Sequence, residues 1–243
     1  MLDPVYYLKK PFSLLRDIFF YAKPRLESMD YSGYWLTRGE STYTRRYSLF
    51  SELMEPGSTL FDIGCGDGCA IRHLAEERGI SGEGVDLSAP AVEIAIRKGT
   101  KASVADITAP DFRITGIYDY ILISEVIEHI GKPEDLIRKT RGHFRKGLII
   151  SIPNTGHYIH RLRLLFGRFP VQWMIHPGEH LRFWTLRDFR KWADWLGFEV
   201  VAHRSNTGFI GLYNFFPGLF ADNLVFLLRE KSGGKMSPEN PAQ

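Results

Sequence analysis

The chain has 243 residues, 44% of them hydrophobic and 24% charged, which suits one substantial core with appendages rather than several domains. A formal net charge of +3 is only mildly basic, so bulk electrostatics do not call for a nucleic-acid partner. The two cysteines, Cys65 and Cys69, sit too close for an unstrained disulfide and have no second pair for a zinc site, so they read as reduced thiols of a cytoplasmic protein.

The first stretch, MLDPVYYLKKPFSLLRDIFFYAKPRL, is aromatic, basic and roughly amphipathic. Lys9, Lys10, Pro11, Arg16 and Asp17 interrupt it, and no small-residue cleavage site follows, so it is not a secretory signal. Residues 1–43 are expected to form a helical cap outside the main sheet. Short apolar runs then alternate with helical patterns. Strands are predicted at Thr59–Ile63, Gly82–Asp86, Ala102–Ala105, Tyr118–Ser124 and Gly147–Ile152. The intervening helices are predicted over Gly68–Arg78, Ala89–Lys98 and Pro133–Phe144. A helix over Leu186–Leu196 leads to two further strands, Phe198–Arg204 and Asn223–Arg229. This order implies an α/β fold: a doubly wound, seven-stranded, mostly parallel Rossmann-like sheet with helices on both faces. The run GFIGLYNFFPGLFADNLVFLL from Gly208 has the length to span a membrane. Asn214, Pro217, Asp222 and Asn223 within it fit a turn and a buried strand better. The domain is drawn over 44–231, and the tail 232–243, without apolar periodicity, is expected to be disordered.

Ligands of such sheets bind at the carboxyl ends of the strands, where strand order reverses. After the first predicted strand comes DIGCGDGC, with glycines at 64, 66 and 68. Glycines there let backbone N–H groups approach a ligand closely at the positive end of the next helix. The dinucleotide pattern G-x-G-x-x-G fails in both frames, at Cys69 and at Ile71, and no Gly-Lys-Ser/Thr follows for a P-loop.

The pattern D-x-G-x-G-x-G of Asp62, Gly64, Gly66 and Gly68 resembles motif I of the class I S-adenosylmethionine (SAM) dependent methyltransferases. GVDLS, SVADIT and YDYILISEVIEHI follow in the family's order at the ends of the next three strands. The resemblance implies SAM as cofactor and a role for each motif residue. Asp86 would take both ribose hydroxyls in a bidentate contact, with capping of the next helix as its alternative role. Asp106 would accept from the adenine amino group, or else cap a turn. Ile107 would offer its backbone N–H to the ring, and Leu87 would pack on a ring face. Asp62 would order the glycine loop and meet the methionine ammonium, with Ser124 at the fourth strand's end beside the cofactor. Arg45 or Arg46 would receive the cofactor's carboxylate. His129 is the candidate general base, or else a packing residue under the cofactor.

The segment from Leu148 to Val200, with S-x-P-N-x-G-H and a T-L-R-D-F helix start, resembles the methionine-biosynthesis protein W group. Thr185 and Asp188 read there as a capping box. Some members of that group are thought to act by binding homoserine acyltransferase, so a catalytically silent partner protein is the alternative function. The EVIEH segment is closer to ubiquinone-pathway O-methyltransferases. The adopted reading is a cytoplasmic enzyme that methylates an oxygen of a small or lipid-linked metabolite and uses no metal.

A metal-dependent variant of that reading draws its ligands from Glu125, Glu128 and His129, expected on one helical face, with His180 or His176 added. Between Leu136 and Gly178 there are eight lysines and arginines and no acid. An anionic acceptor follows if these residues face the sheet's carboxyl end, and solvated helix faces follow if they do not. Tyr31, Tyr34, Trp35, Trp173 and Trp184 are candidate walls of an acceptor pocket. The apolar amino terminus suggests peripheral membrane contact, whereas no RNA-binding module accompanies the basic run.

Overall fold

The computed structural model describes residues 18–19, 30–38, 41, 43–170, 180–209 and 211–231. The expectations for most of the amino-terminal cap, for Trp173 and His176, and for the 232–243 tail lie outside the described residues. Among the described residues Ile18 and Phe19 are helical, and the helices α1 (Tyr31–Arg38) and α2 (Arg45–Leu53) precede β1 (Thr59–Ile63). Next come α3 (Cys69–Arg78), β2 (Ser81–Asp86), α4 (Ala89–Arg97), β3 (Lys101–Val104) and β4 (Tyr118–Ser124). A single 3-10 turn (Ile127–His129) leads to α5 (Pro133–Thr140), β5 (Phe144–Pro153) and α6 (Tyr158–Leu165). The chain closes with α7 (Leu186–Trp195), β6 (Phe198–Gly208), the short helices α8 (Leu212–Phe215) and α9 (Pro217–Phe220), and β7 (Ala221–Glu230).

The seven strands form one sheet in the order β3-β2-β1-β4-β5-β7-β6. Neighbours are parallel except β7, which runs antiparallel to both β5 and β6. Side-chain alternation divides the core between the two faces. Phe61, Ile63, Ile121, Ile123, Ile150 and Phe226 pack on one face with α5 and α7. Leu60, Leu122, Ile149 and Val225 pack on the other with Phe50 of α2 and Leu74 of α3. Both sides of each central strand are thereby covered, which explains runs such as YDYILIS that are continuously apolar rather than alternating.

Every predicted strand forms, most of their ends within two residues of expectation, and the larger shifts fall at β5 and β6. The helix from Pro133 stops at Thr140, and β5 begins at Phe144. Gly142, with φ 74, turns the chain there in the left-handed region that glycine tolerates. β6 extends to Gly208, four residues beyond its predicted end, because β7 pairs with it as far as Ala221. The apolar run from Gly208 resolves into two short helices and β7. Among the described residues no helix is long and apolar enough to cross a membrane. Cys65 and Cys69 are free, and the Thr185–Asp188 capping box opens α7 as predicted.

Candidate active site

Strand order reverses at β1, which lies between β2 and β4. A cavity of about 870 Å³ opens at the carboxyl ends of these strands, as the switch-point rule predicts. One end is walled by the glycine loop, Asp86, Leu87 and the α1 aromatics, the other by α6 and the β6–β7 hairpin.

The glycine loop follows β1 with Gly64, Gly66 and Gly68 all at positive φ (83, 53 and 72). A Cβ on Gly66 would come within 2.7 Å of the Trp35 ring, so only glycine lets α1 close onto the loop. Gly64 and Cys65 donate their N–H groups to the Val85 carbonyl at 2.8 and 3.0 Å. Asp86 Oδ2 accepts from Gly66 N at 2.8 Å, and its Oδ1 accepts from Ser88 N at 2.9 Å. Asp86 therefore carries the loop-ordering role expected of Asp62. Ser88, not Asp86, caps α4 by accepting from Ala91 N.

Asp62 is 2% exposed, and its Oδ1 has no hydrogen-bond partner among the described residues. Burial, and secondarily the nearby Asp86 charge, push its carboxyl from 3.8 up to about 8. Burial also raises Asp86, against the pull of its backbone donors. Leu87, Asp106 and Ile107 line the same end of the cavity, Leu87 and Asp106 as exposed residues. Asp106 Oδ1 accepts from the N and Oγ1 of Thr108 at 2.8 and 2.6 Å, bonds that hold its carboxyl below the usual range. The turn-capping role is thus realised, while the carboxylate remains on the cavity rim.

Of the two candidate arginines, Arg46 lines the cavity. Arg45 turns away, donating to the Tyr213 hydroxyl at 2.6 Å. Arg46 Nη1 pairs with Glu125 Oε1 at 3.0 Å, and Arg46 Nε is buried with no hydrogen-bond partner among the described residues. Glu125 follows Ser124, whose Oγ lies 3.0 Å from Ser151 Oγ. Glu125 has φ 55, a left-handed conformation costly for a residue with a side chain. Four contacts hold it there: Arg46, its own N–H on the Ser151 carbonyl, and donors from Ser151 Oγ and Asn223 Nδ2, both at 2.9 Å. Sequence reasoning missed Asn223, because its approach to Glu125 depends on β7 folding back against β5.

The expected helical face of Glu125, Glu128 and His129 does not form. The chain makes only a 3-10 turn after β4, so Glu125 turns toward Arg46 and leaves the other two behind. Glu128, His129 and His180 do converge, offering ligand atoms within 4.8 Å of one another. The loop carrying His180 is fastened there by Leu181 N and Arg182 N, which donate to the Glu128 carbonyl. His129 packs edge-on to Tyr31 and to His180. Burial, then the neighbouring His129, lower His180 to about 4, which favours a neutral, electron-donating imidazole.

At the opposite end the S-x-P-N-x-G-H segment shows its purpose. Asn154 is fully buried and donates to the Ala221 carbonyl at 2.8 Å, while its Oδ1 accepts from Gly156 N at 3.0 Å. This staple brings His157 at the start of α6 opposite Asp222 of β7, with Nε2 and Oδ1 3.2 Å apart. His160 Nδ1 and Asn206 Oδ1, also in the cavity wall, have no hydrogen-bond partner among the described residues. Burial lowers His160 to about 4. None of His157, His160, Asn206 and Asp222 was given a site role from sequence, although the S-x-P-N-x-G-H spacing already contained His157.

Tyr31, Tyr34 and Trp35 line the cavity as expected, but Trp184 does not. It is 5% exposed and packs with Phe189 and Trp192 in the core. The basic run also divides. Arg138, Lys139, Arg141, Arg145 and Lys146 lie on α5 and toward the amino end of β5, where Arg138 pairs with Asp135 and Lys146 with Glu55. Only Arg161, Arg163 and Arg168 follow the carboxyl end of β5, so the eight do not share one face there.

A family model described as methionine biosynthesis protein MetW matches residues 45–228, from α2 into β7. The chain belongs to the MetW family. This MetW chain is 32% identical over 112 residues to phosphoethanolamine N-methyltransferase 2 of Caenorhabditis elegans, covering 42% of the chain and 25% of that protein. It is 26% identical over 161 residues to a ubiquinone biosynthesis O-methyltransferase of Cupriavidus pinatubonensis, covering 62% of the chain and 64% of that protein. A probable tRNA methyltransferase 9B of Homo sapiens is 36% identical over 93 residues, 38% of the chain and 20% of that protein. The chain therefore spans between a fifth and just under two thirds of these relatives. Among solved structures, magnesium protoporphyrin IX methyltransferase of Synechocystis PCC 6803 superposes with a TM-score of 0.55 at 18% identity, covering 94% of this chain and 97% of that one. The MetW chain thus has the class I SAM-dependent methyltransferase fold.

Proposed function

We propose that this MetW-family chain is a SAM-dependent methyltransferase acting on a hydroxyl oxygen of a small or lipid-linked metabolite. The observation that carries the reading is the pair of unsatisfied groups at one end of the cavity. Asp62 Oδ1 and Arg46 Nε, one acidic and one basic, both face it without hydrogen-bond partners among the described residues. A buried polar atom without a partner costs about 1–3 kcal/mol, so the two together favour a ligand with an ammonium and a carboxylate. The methionine end of SAM has both. Gly66 fits as well, since its N–H can leave Asp86 for a ligand and no Cβ blocks the approach.

Bound there, SAM supplies an electrophilic methyl group that needs no further activation. Asp86 accepts from the ribose hydroxyls, and Asp106 and Ile107 meet the adenine edge beside Leu87. α1 covers the site with Tyr31, Tyr34 and Trp35, tied down by Ser41 N on Asp67 Oδ2 at 2.8 Å, and so excludes water. Asn206 Oδ1 accepts a hydroxyl from the acceptor. His157, whose Nε2 lies 3.2 Å from Asp222 Oδ1, would take the hydroxyl proton as the acceptor oxygen attacks the methyl group and the bond from methyl to the cofactor's sulfur breaks. His129, the base expected from sequence, fits better as packing for Tyr31 and His180. Two of the three relatives, the phosphoethanolamine N-methyltransferase and the ubiquinone biosynthesis O-methyltransferase, support a small-molecule acceptor.

Calorimetry with SAM and with its demethylated product, followed by labelled SAM against extracts fractionated by charge and polarity, tests the reading. Binding with label transferred to a small molecule is the expected result. Binding without transfer to any fraction would favour the silent partner protein, and absence of binding would remove both. A second reading, a metal-assisted transfer, is favoured by the Glu128, His129 and His180 cluster. An ion held there would acidify the acceptor hydroxyl. In that case exhaustive chelation abolishes transfer while SAM affinity persists, and Mn²⁺ or Zn²⁺ restores it.

A further inference from the structure

α6 and the turn after it expose an apolar surface that neither the cavity nor the core uses. Leu165 is 75% exposed and Phe169 66%, with Leu164 and Phe166 also more than half exposed. The patch is continuous with two more distant segments. Phe166 meets Phe19 at a centroid distance of 5.3 Å, and Phe169 meets Phe183 edge-on at 5.7 Å. Its charges are of one sign, since three arginines and no acid lie between Tyr158 and Phe169. Arg161 is exposed beside the leucines, and Arg168 donates to the Phe19 carbonyl at 2.8 Å with its guanidinium over that ring. Large apolar side chains among arginines, raised on a short helix, are the makeup of a segment that lies in a lipid interface rather than across it.

The patch also adjoins the cavity. Arg163 lines the cavity wall on α6, and its Nε donates to the Phe169 carbonyl at 2.9 Å while Nη1 reaches the Ile18 carbonyl at 3.3 Å. The buried Arg163 therefore links the wall of the cavity to the backbone that carries the exposed aromatics. We propose that this surface docks the chain onto an anionic lipid leaflet, with Phe166, Phe169 and Leu165 entering the acyl boundary and Arg161 and Arg168 meeting the headgroups. Such docking sets the acceptor end of the cavity facing the membrane, and the proposal rests on the methyltransferase reading only in making the acceptor lipid-linked. The arginines of the described segment from Tyr158 to Phe169 argue for phospholipid over a second copy of the chain, whose identical segment would oppose like charges.

The test is co-sedimentation of the full chain with vesicles of phosphatidylcholine alone and with roughly a quarter phosphatidylglycerol, with SAM affinity measured separately by calorimetry. The chain is expected to sediment with the anionic vesicles only and to be released as salt rises toward about 0.5 M. Phe166→Ser with Phe169→Ser should weaken sedimentation roughly tenfold or more, and Arg168→Glu should do the same. Leu165→Gln, a single change at the most exposed position, gives a weaker loss in a variant whose folding is not at stake. Equal sedimentation of parent and variants overturns the proposal, as does none by the parent. A dimer seen by sedimentation velocity and broken by the same variants, without vesicle binding, assigns the surface to a second copy instead. If SAM fails to bind while vesicles do, the methyltransferase reading falls and the docking surface stands.

Discussion

At the β1–β2 end of the cavity the walls are the glycine loop, carboxylates and the α1 aromatics; at the β5–β7 end they are imidazoles, amides, Asp222 and an arginine. The first is built from residues close in sequence: Asp62 to Gly68 on one turn, and Asp86 at the end of the adjacent parallel strand. The second joins His157 to Asp222 and Glu125 to Asn223 across 65 and 98 residues of chain. A ligand shared by many enzymes can be held by a compact turn that any strand–helix junction supplies. The acceptor proposed for the second end would be met by side chains that the antiparallel β7 brings back against β5. The contrast predicts that substitutions at one end change cofactor affinity, and those at the other change transfer.

The sharpest separation is expected at His157. His157→Gln should slow labelled transfer about 10²–10⁴-fold, the range for a lost general base, while calorimetric SAM affinity stays at the parent's value. A His157→Gln variant as active as the parent would return the base to His129 or remove the need for one. The reverse pattern belongs to Asp86. Asp86→Ala should weaken SAM binding by about 1.5–3 kcal/mol, because both the ribose acceptor and the anchor of Gly66 N are lost. Unchanged affinity would remove the motif assignment.

Asp62 separates stability from binding at the cofactor end. Its folded carboxyl titrates near 8 against an ordinary 3.8, so between these values the folded chain holds a proton that the unfolded chain has released. The ligand-free protein should therefore lose stability as pH rises through that window. Asp62→Asn should flatten this dependence and raise the melting temperature above pH 8, at the cost of SAM affinity. A thermal unfolding series across pH, with parent and variant falling together, would show that no buried charge is being removed. The smallest effect is expected at Thr185, whose capping box serves α7 rather than the cavity. Thr185→Ala should lower unfolding free energy by about 1 kcal/mol and leave SAM affinity alone. A change in affinity there would couple the two ends more tightly than their construction suggests.

The cofactor end was largely legible in the sequence. Asp62, the three glycines and Asp86 lie at ends of predicted strands, and all but Gly68 line the cavity, with Gly68 capping α3. The assignments that failed there were exchanges between close neighbours, with Asp86 taking the loop and Ser88 the cap. Spacing brings such residues near each other but does not say which oxygen a given N–H will choose. At the acceptor end, Trp184 was expected in the cavity and lies in the core, while His157 was quoted in a motif without a role.

What the sequence by itself determined is the order and type of elements and the glycine turn that lines the cavity. Those follow from apolar periodicity and from glycine's access to positive φ, which act over a few residues. Tertiary structure alone decided that Glu125 leaves Glu128 and His129 for Arg46. The cause is a 3-10 turn, with a strained φ held by Ser151 and Asn223 from neighbouring strands. It alone also set Asp222 against His157 and divided the basic run between the two ends of the sheet. These outcomes depend on which strands become neighbours and in what direction. Burial of the whole apolar sheet settles that pairing, and no local spacing records it.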